Sequence, residues 1–269
     1  MSNYVILNHD LHGQVNDMLM DERLNELLSY MHRMRAARYT QIARDLHISQ
    51  STARRDAAVL EEQGHVEKVY GGIMLSSSNI NTMPLSVRID SHAQAKAVIG
   101  RKAAKVVQDK MSIFLYGSST VMHMVPYLAN LNKLRVLTNS TEICEKLTEA
   151  GCEVYCTGGR LRMTDKVFVG PYADESLKSF RFDASFFSPS AISLDGDVTI
   201  YRLESQSFLR IMLQKSRKRY MLCDSSKLGQ SEFFSVCNVE DLDDVFCEKD
   251  LPEILAKRIG ANREKDSIL

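Results

Sequence analysis

The sequence predicts an α/β protein in two parts: a short helical module ending in a glycine-bearing hairpin, then a larger domain on a mainly parallel sheet. Three observations carry this. Apolar residues recur at helical spacing as far as residue 63, a stretch rich in serine, asparagine and threonine follows at 76–84, and beyond it short apolar runs alternate with helix-length segments. The 269 residues exceed one ordinary small domain, and an apolar share of 44% supplies a core for both parts. The boundaries read as an arm at 1–20, a first domain at 21–75, a linker at 76–90 and a second domain at 91–269.

Element by element, residues 21–32 place Leu24, Leu27, Leu28 and Met31 on one helical stripe, with Glu22, Arg23 and Asn25 left to solvent. Residues 39–46 repeat the pattern with Ile42, Ala43 and Leu46, and Thr40 reads as the N-cap. His47 and Ile48 turn the chain. Ser49 then caps a third helix at 50–63 whose Ala53, Ala57 and Leu60 face the other two, and Gly64 stops it. Residues 65–74 alternate Val66, Val69 and Ile73 with polar residues around Gly71 and Gly72, a hairpin or wing. In the second domain, strands are expected at 112–116, 134–138, 153–156, 184–187, 219–223 and 244–247. Helices are expected at 96–107, 120–131, 141–150 and 204–215. Such alternation is the mark of parallel strands covered by helices.

Lys plus Arg and Asp plus Glu number 34 each, so the total charge points to no polyanionic partner. Its distribution does. Between residues 31 and 55 stand Arg33, Arg35, Arg38, Arg44, Arg54 and Arg55 against one acid, Asp45. The six cysteines all lie beyond residue 140 without a CxxC pair, which suggests neither a disulfide framework nor a zinc site; Cys152 and Cys156 flank a strand and read as core thiols. No cofactor is expected. The first 20 residues lack the charge and apolar core of a signal peptide, and no window offers 18 apolar residues, so the chain reads as cytoplasmic with no membrane partner. No nucleophile elbow, phosphate loop, HExxH or dinucleotide fingerprint is present, and no catalytic residue is assigned.

The segment from Ile48 to Asp56 (ISQSTARRD) carries the sharpest signal. A recognition helix needs small polar side chains at its N-terminal end to approach base edges, and guanidinium groups close behind for guanine edges or phosphates. Gln50, Ser51, Thr52, Arg54 and Arg55 fit that need, with Arg38 and Thr40 beside the preceding helix and Tyr70 on the wing reaching the flanking backbone. Asp56 reads as a brace for the two arginines. An isolated arginine pair would be an ordinary solvated face; two helices, a turn, a capped third helix and a hairpin coinciding with the basic patch make a winged helix-turn-helix for double-stranded DNA.

Ile48, Ser49, Thr52 to Ala57, Leu60, Glu61, Gly64, Gly71 and Gly72 resemble the helix-turn-helix of the DeoR family of bacterial regulators. The resemblance runs on from about residue 96 to 248. It implies a domain that senses a small phosphorylated metabolite, similar in fold to ribose-phosphate isomerases. Its effector site would use Gly117, Ser118, Ser119 and Thr120 after the first strand, Thr138, Asn139 and Ser140 after the second, and Gly159 and Arg160. The run Asp224 to Gly229 matches the family's D-x-S-K-x-G, with Ser226 and Lys227 as anion ligands. Loops of this kind at strand ends also serve as plain turns and caps. Three positions depart from the family: Tyr116 stands where an aspartate is usual, residues 188–192 replace a glycine-rich stretch, and Phe208 or Leu209 stands where a lysine is expected.

The function that follows is a transcriptional regulator, a repressor of a carbohydrate-metabolism operon, working as a homo-oligomer (dimer or tetramer) whose DNA affinity is set by a sugar phosphate or related metabolite. Two alternatives stay open: a regulator whose second domain only mediates oligomerisation, and a sugar-phosphate isomerase with an accessory DNA-binding domain.

Overall fold

The computed structural model describes residues 22–31, 34, 36–63, 65–75 and 83–261. The arm at 1–20, Gly64 and the serine run at 76–82 lie outside the described residues. The chain divides at Ser91 and His92 into two compact units.

In the first unit, α1 (22–31), α2 (Tyr39–Asp45) and α3 (Gln50–Glu62) pack around Leu27, Met31, Ile42, Ala53, Ala57 and Leu60, all essentially without solvent exposure. This is the stripe that helical spacing demands. His47, at φ 54°, turns the chain between α2 and α3 in a left-handed conformation. The Ser49 hydroxyl accepts the Thr52 N–H at 3.0 Å, capping α3 as expected. Thr40, by contrast, does not cap α2. Arg38 holds the N-cap position and offers no side-chain bond.

The wing has three strands. β2 (Val66–Val69) and β3 (Gly72–Leu75) form the hairpin, and β1 (Ala36–Arg38), in a stretch where no strand is expected, pairs antiparallel with β3. That third strand explains Gly72, since a Cβ there would lie 2.2 Å from the Ala37 carbonyl oxygen. The expected linker at 76–90 also needs correcting. Met83 and Val87 are buried in this unit's core, and Leu85–Asp90 forms the helix α4, so the described part of that stretch belongs to the first unit. Burial of two apolar side chains outweighs the weak linker composition that surrounds them.

The second unit is built on β4 (Ser112–Leu115), β5 (Arg135–Thr138), β6 (Glu153–Cys156), β9 (Phe182–Phe187), β12 (Ser216–Leu222) and β14 (Asp244–Phe246). They form one six-stranded sheet in the order β14-β12-β9-β4-β5-β6, every pair parallel. All six expected strands are members. Side chains alternate across it: Ile113 and Leu115 join a core under α5 (Ala93–Ala104), α6 (Ser119–Met122) and α7 (Thr141–Glu149). Phe114 joins the opposite core under α8 (Pro171–Lys178) and α9 (Leu203–Lys215).

The expected helix at 120–131 is broken. α6 ends at Met122, and Pro126, which has no N–H to donate, sits in a separate short 3-10 turn at Val125–Tyr127. Five strands outside the parallel sheet were not foreseen: the hairpin β7 (Arg160–Arg162) and β8 (Val167–Val169), and an antiparallel sheet of β10 (Ala191–Ile192), β11 (Asp197–Ile200) and β13 (Phe234–Asn238). The strand order reverses between β4 and β9. In open parallel sheets that switch point opens a crevice at the carboxyl ends of the strands.

Candidate nucleic-acid interface and effector site

Packing Ala53, Asp56, Ala57 and Leu60 inward leaves Gln50, Ser51, Arg54 and Arg55 on the outer side of α3, all exposed. Thr52 is half-buried. The hydroxyls of Ser51 and Thr52 lie 2.7 and 2.8 Å from the Ser49 hydroxyl, which holds the helix start together. The Arg54 guanidinium lies over the Tyr39 ring, 5.0 Å from its centroid, a cation–π contact that orients it. Arg38 and Thr40 are exposed at the entry to α2, and Tyr70 stands fully exposed at the tip of the wing.

Asp56 does not brace the arginines beside it. It is 1% exposed and takes two hydrogen bonds from Arg23 of α1, from Nε at 2.6 Å and Nη2 at 2.8 Å. Neighbours in a helix point about 100° apart, so Asp56 and Arg55 share no face. Arg23, expected in solvent, therefore ties α1 to the back of α3. Among the described residues the outward arginines have no acidic partner, which suits a phosphate-binding face.

In the second unit the loops at the carboxyl ends of the strands converge on the switch point. Ser118 caps α6, accepting the Val121 N–H at 3.2 Å, and Ser140 caps α7, accepting from Ile143 at 3.4 Å. Thr138 donates its hydroxyl to the Leu115 carbonyl at 2.7 Å, and the Asn139 side-chain oxygen accepts the Gly117 N–H at 2.8 Å. Gly117 is obligatory here: a Cβ would lie 2.4 Å from the Val167 side chain of β8. Across the switch point Ser188, at the end of β9, donates to the Thr120 hydroxyl at 3.4 Å. Lys227 donates to Ser188 Oγ at 3.0 Å and to the Pro189 carbonyl at 2.7 Å. Ser119 is buried in the same loop, and Ser226 donates to Asp224.

Arg160 stands apart from this cluster in its bonding. It pairs with Glu204 of α9 at 2.6 Å on the β7–β8 hairpin that Gly159 opens with φ 108°. The departures at 116 and 208 prove to be neighbours. The Tyr116 and Phe208 rings lie 6.0 Å apart, and Phe208 also packs on Phe114 at 5.7 Å, all within the core beneath α9. Two aromatic rings thus meet in the core where the sequence comparison, by resemblance alone, expects an acid at 116 and a lysine at 208 or 209.

Three charged residues near Lys227 were not singled out as site residues. Asp224 is 2% exposed with Lys227 at 4.0 Å, and Glu248 accepts the Ser225 N–H at 3.0 Å. Burial pushes the Asp224 carboxyl up, but the charges of Lys227 and Lys96 and the Ser226 hydroxyl outweigh it and hold the pKa below the ordinary range. Glu248 is likewise lowered: burial opposes it, and bonds from Ser225 and Cys247 win. Lys96 is 3% exposed on α5. Its signal was available, a lysine three residues before Ile99 on an otherwise apolar stripe.

A family model described as the DeoR C terminal sensor domain matches residues 91–249, and one described as the DeoR-like helix-turn-helix domain matches 23–79. The chain belongs to the DeoR family. Curated relatives of this DeoR-family chain include the "Lactose phosphotransferase system repressor" of Staphylococcus epidermidis (strain ATCC 12228 / FDA PCI 1200), 29% identical over 84% of this chain and 91% of that protein. The protein of the same name in Staphylococcus aureus (strain N315) is 30% identical over 82% and 89%. The "HTH-type transcriptional repressor GlcR" of Bacillus subtilis (strain 168) is 30% identical over 84% and 87%. Among solved structures, eIF2B delta from Chaetomium thermophilum has a TM-score of 0.46 at 17% identity, covering 60% of this chain and 58% of that one. Ribose 5-phosphate isomerase from Plasmodium falciparum has 0.37 at 18% identity, covering 49% and 52%. Among the described residues no helix is long and apolar enough to cross a membrane.

Proposed function

We propose that this DeoR-family chain is a cytoplasmic DNA-binding transcriptional regulator, a repressor of a carbohydrate-use operon, whose DNA affinity is set by a phosphorylated sugar or related metabolite. The observation that carries the reading is the outer face of α3, where Gln50, Ser51, Arg54 and Arg55 stand exposed on a helix capped by Ser49 and braced from behind by the Arg23–Asp56 pair. Gln50, Ser51 and Thr52 approach base edges. Arg54 and Arg55 bind guanine edges or phosphate, and Arg38, Thr40 and Tyr70 take the flanking backbone. The names of the relatives, repressors in each case, support the same direction.

The effector enters at the switch point. Lys227 supplies the cation for its phosphate, and the loops at 117–120 and 138–140 supply backbone N–H groups and hydroxyls. Two helix-turn-helix modules at fixed spacing in a dimer or tetramer give the ligand two DNA-binding arrangements to choose between.

A second reading, in which the sensor domain serves assembly alone, is favoured by the Tyr116–Phe208 contact, since two aromatic rings offer a sugar hydroxyl no charged partner. Gel shifts on the operon adjacent to the gene, with and without a panel of sugar phosphates, separate the readings. Release by one compound supports effector control; DNA binding indifferent to all of them leaves assembly; turnover of a sugar phosphate would revive an enzyme.

A further inference from the structure

The opposite edge of the parallel sheet is built differently. A cavity of about 430 Å³ opens at the amino ends of the strands, walled by Arg135, Arg181, Lys215 and Arg217, with Asp183 as the acid among them. Asp183 is already committed, accepting the Ser112 N–H at 2.8 Å. Arg135, Arg181 and Lys215 make no ion pair among the described residues. An adjoining cavity of about 240 Å³ shares Arg135 and Arg181 and adds Tyr155, whose ring leans at 55° on Phe180 with their centroids 6.2 Å apart.

Arg135, Arg181 and Arg217 are exposed and Lys215 partly so, and like charges gathered round one concavity repel one another until an anion enters and relieves the repulsion. Three of the four cations are arginines, whose planar fork suits phosphate oxygens. The half-exposed Tyr155 ring beside them offers a face on which a planar group can stack. The two cavities fall in the size range of small-molecule sites. Strands of four to seven residues, at about 3.3 Å per residue, separate this edge from the switch-point crevice by more than 10 Å, so one small ligand cannot fill both.

We propose that the amino edge of the sheet is a second ligand site, for a nucleoside phosphate: its phosphates lie against Arg135, Arg181, Lys215 and Arg217, and its base stacks on the exposed face of Tyr155. The effector at the carboxyl edge and the nucleotide at the amino edge then act on one sheet from opposite ends.

The test is calorimetric titration of the full-length protein with adenosine diphosphate, and separately with adenosine and with inorganic pyrophosphate. The expected result is that the diphosphate binds at least about tenfold more tightly than either fragment. The double variant Arg181→Gln, Lys215→Gln weakens it by about tenfold or more, while Lys227→Ala leaves it unchanged. Arg181 is exposed and Lys215 partly so, and the folding of the double variant is checked by an unaltered melting curve. Four outcomes overturn the proposal. They are no binding of the diphosphate; pyrophosphate binding as tightly as the diphosphate; loss of binding with Lys227→Ala but not with the double variant; and a double variant that changes only the mass in solution, which makes the cavity an interface between copies.

Discussion

The outer face of α3 and the carboxyl edge of the parallel sheet both gather hydroxyls and cations, and they dispose of them in opposite ways. On α3, Arg54 and Arg55 point outward with no acidic partner among the described residues, and the adjacent acid, Asp56, is turned inward and held by Arg23. At the sheet edge Lys227 is already bonded to Ser188 and Pro189, and Ser118, Thr138, Asn139 and Ser140 are each spoken for by a cap or a loop. The difference follows from solvent. An exposed donor is satisfied by water until DNA displaces it, whereas a buried donor must find a protein partner at once or destabilise the fold. A face for a large polyanion can wait open. The proposed effector crevice is closed by bonds within the protein, which a ligand entering there would exchange for its own.

The largest test of this contrast is at Arg23. Replacing it with alanine leaves Asp56 buried without its partner, and should destabilise the first unit by about 3–5 kcal/mol, measured by denaturant unfolding. An effect below about 1 kcal/mol would mean that the brace is not what frees the outer arginines. Next is the aromatic pair. Tyr116→Asp places a carboxyl in the core beside Phe208 and should cost about 3 kcal/mol, while Tyr116→Asp with Phe208→Lys should recover at least about 1 kcal/mol of it through a buried ion pair. Strictly additive losses would show that the two positions are not coupled.

On the open side of the comparison, Arg54→Ala should weaken specific DNA binding by about 1–3 kcal/mol in a salt-controlled titration and leave the melting temperature in place. Equal weakening on specific and random DNA would reassign Arg54 to phosphate. The smallest effect concerns acid. Because the Asp224 pKa is depressed in the folded state, the group contributes stability above its unfolded value of about 4 and loses it as pH falls through the folded one. Lys227→Met removes the principal charge holding it down, so the acid-side loss of stability should begin at higher pH. DNA affinity of this variant at neutral pH should be unchanged. An acid unfolding curve that does not move would separate Lys227 from Asp224.

Much of this molecule was legible in its sequence. The six strands of the parallel sheet, the helix stripes of the first unit and the Ser49 cap all rest on local pattern, since burial of a strand or helix face imposes a period on the chain itself. Several of the elements that escaped are short, although β11, β13 and α8, of four, five and eight residues, escaped as well. β1, β7, β8 and β10 have two or three residues each, too few to hold a period, and they exist because a neighbouring strand supplies their hydrogen bonds. The broken helix at Pro126 was legible in principle, from a residue type that cannot donate, and was overridden by the apolar spacing around it.

At the sites the division is sharper. The residue types proposed to carry the chemistry, from Gln50 to Arg55 and from Asp224 to Lys227, are read from the sequence alone. Which partner each one takes was decided only in three dimensions. Asp56 chose Arg23, 33 residues away, over its neighbours Arg54 and Arg55. Lys227 met Ser188, 39 residues earlier, and Tyr116 met Phe208. A linear pattern can say which face of a helix or strand is dry; only the packed elements place two distant dry faces against each other, and it is there that a buried charge finds its partner.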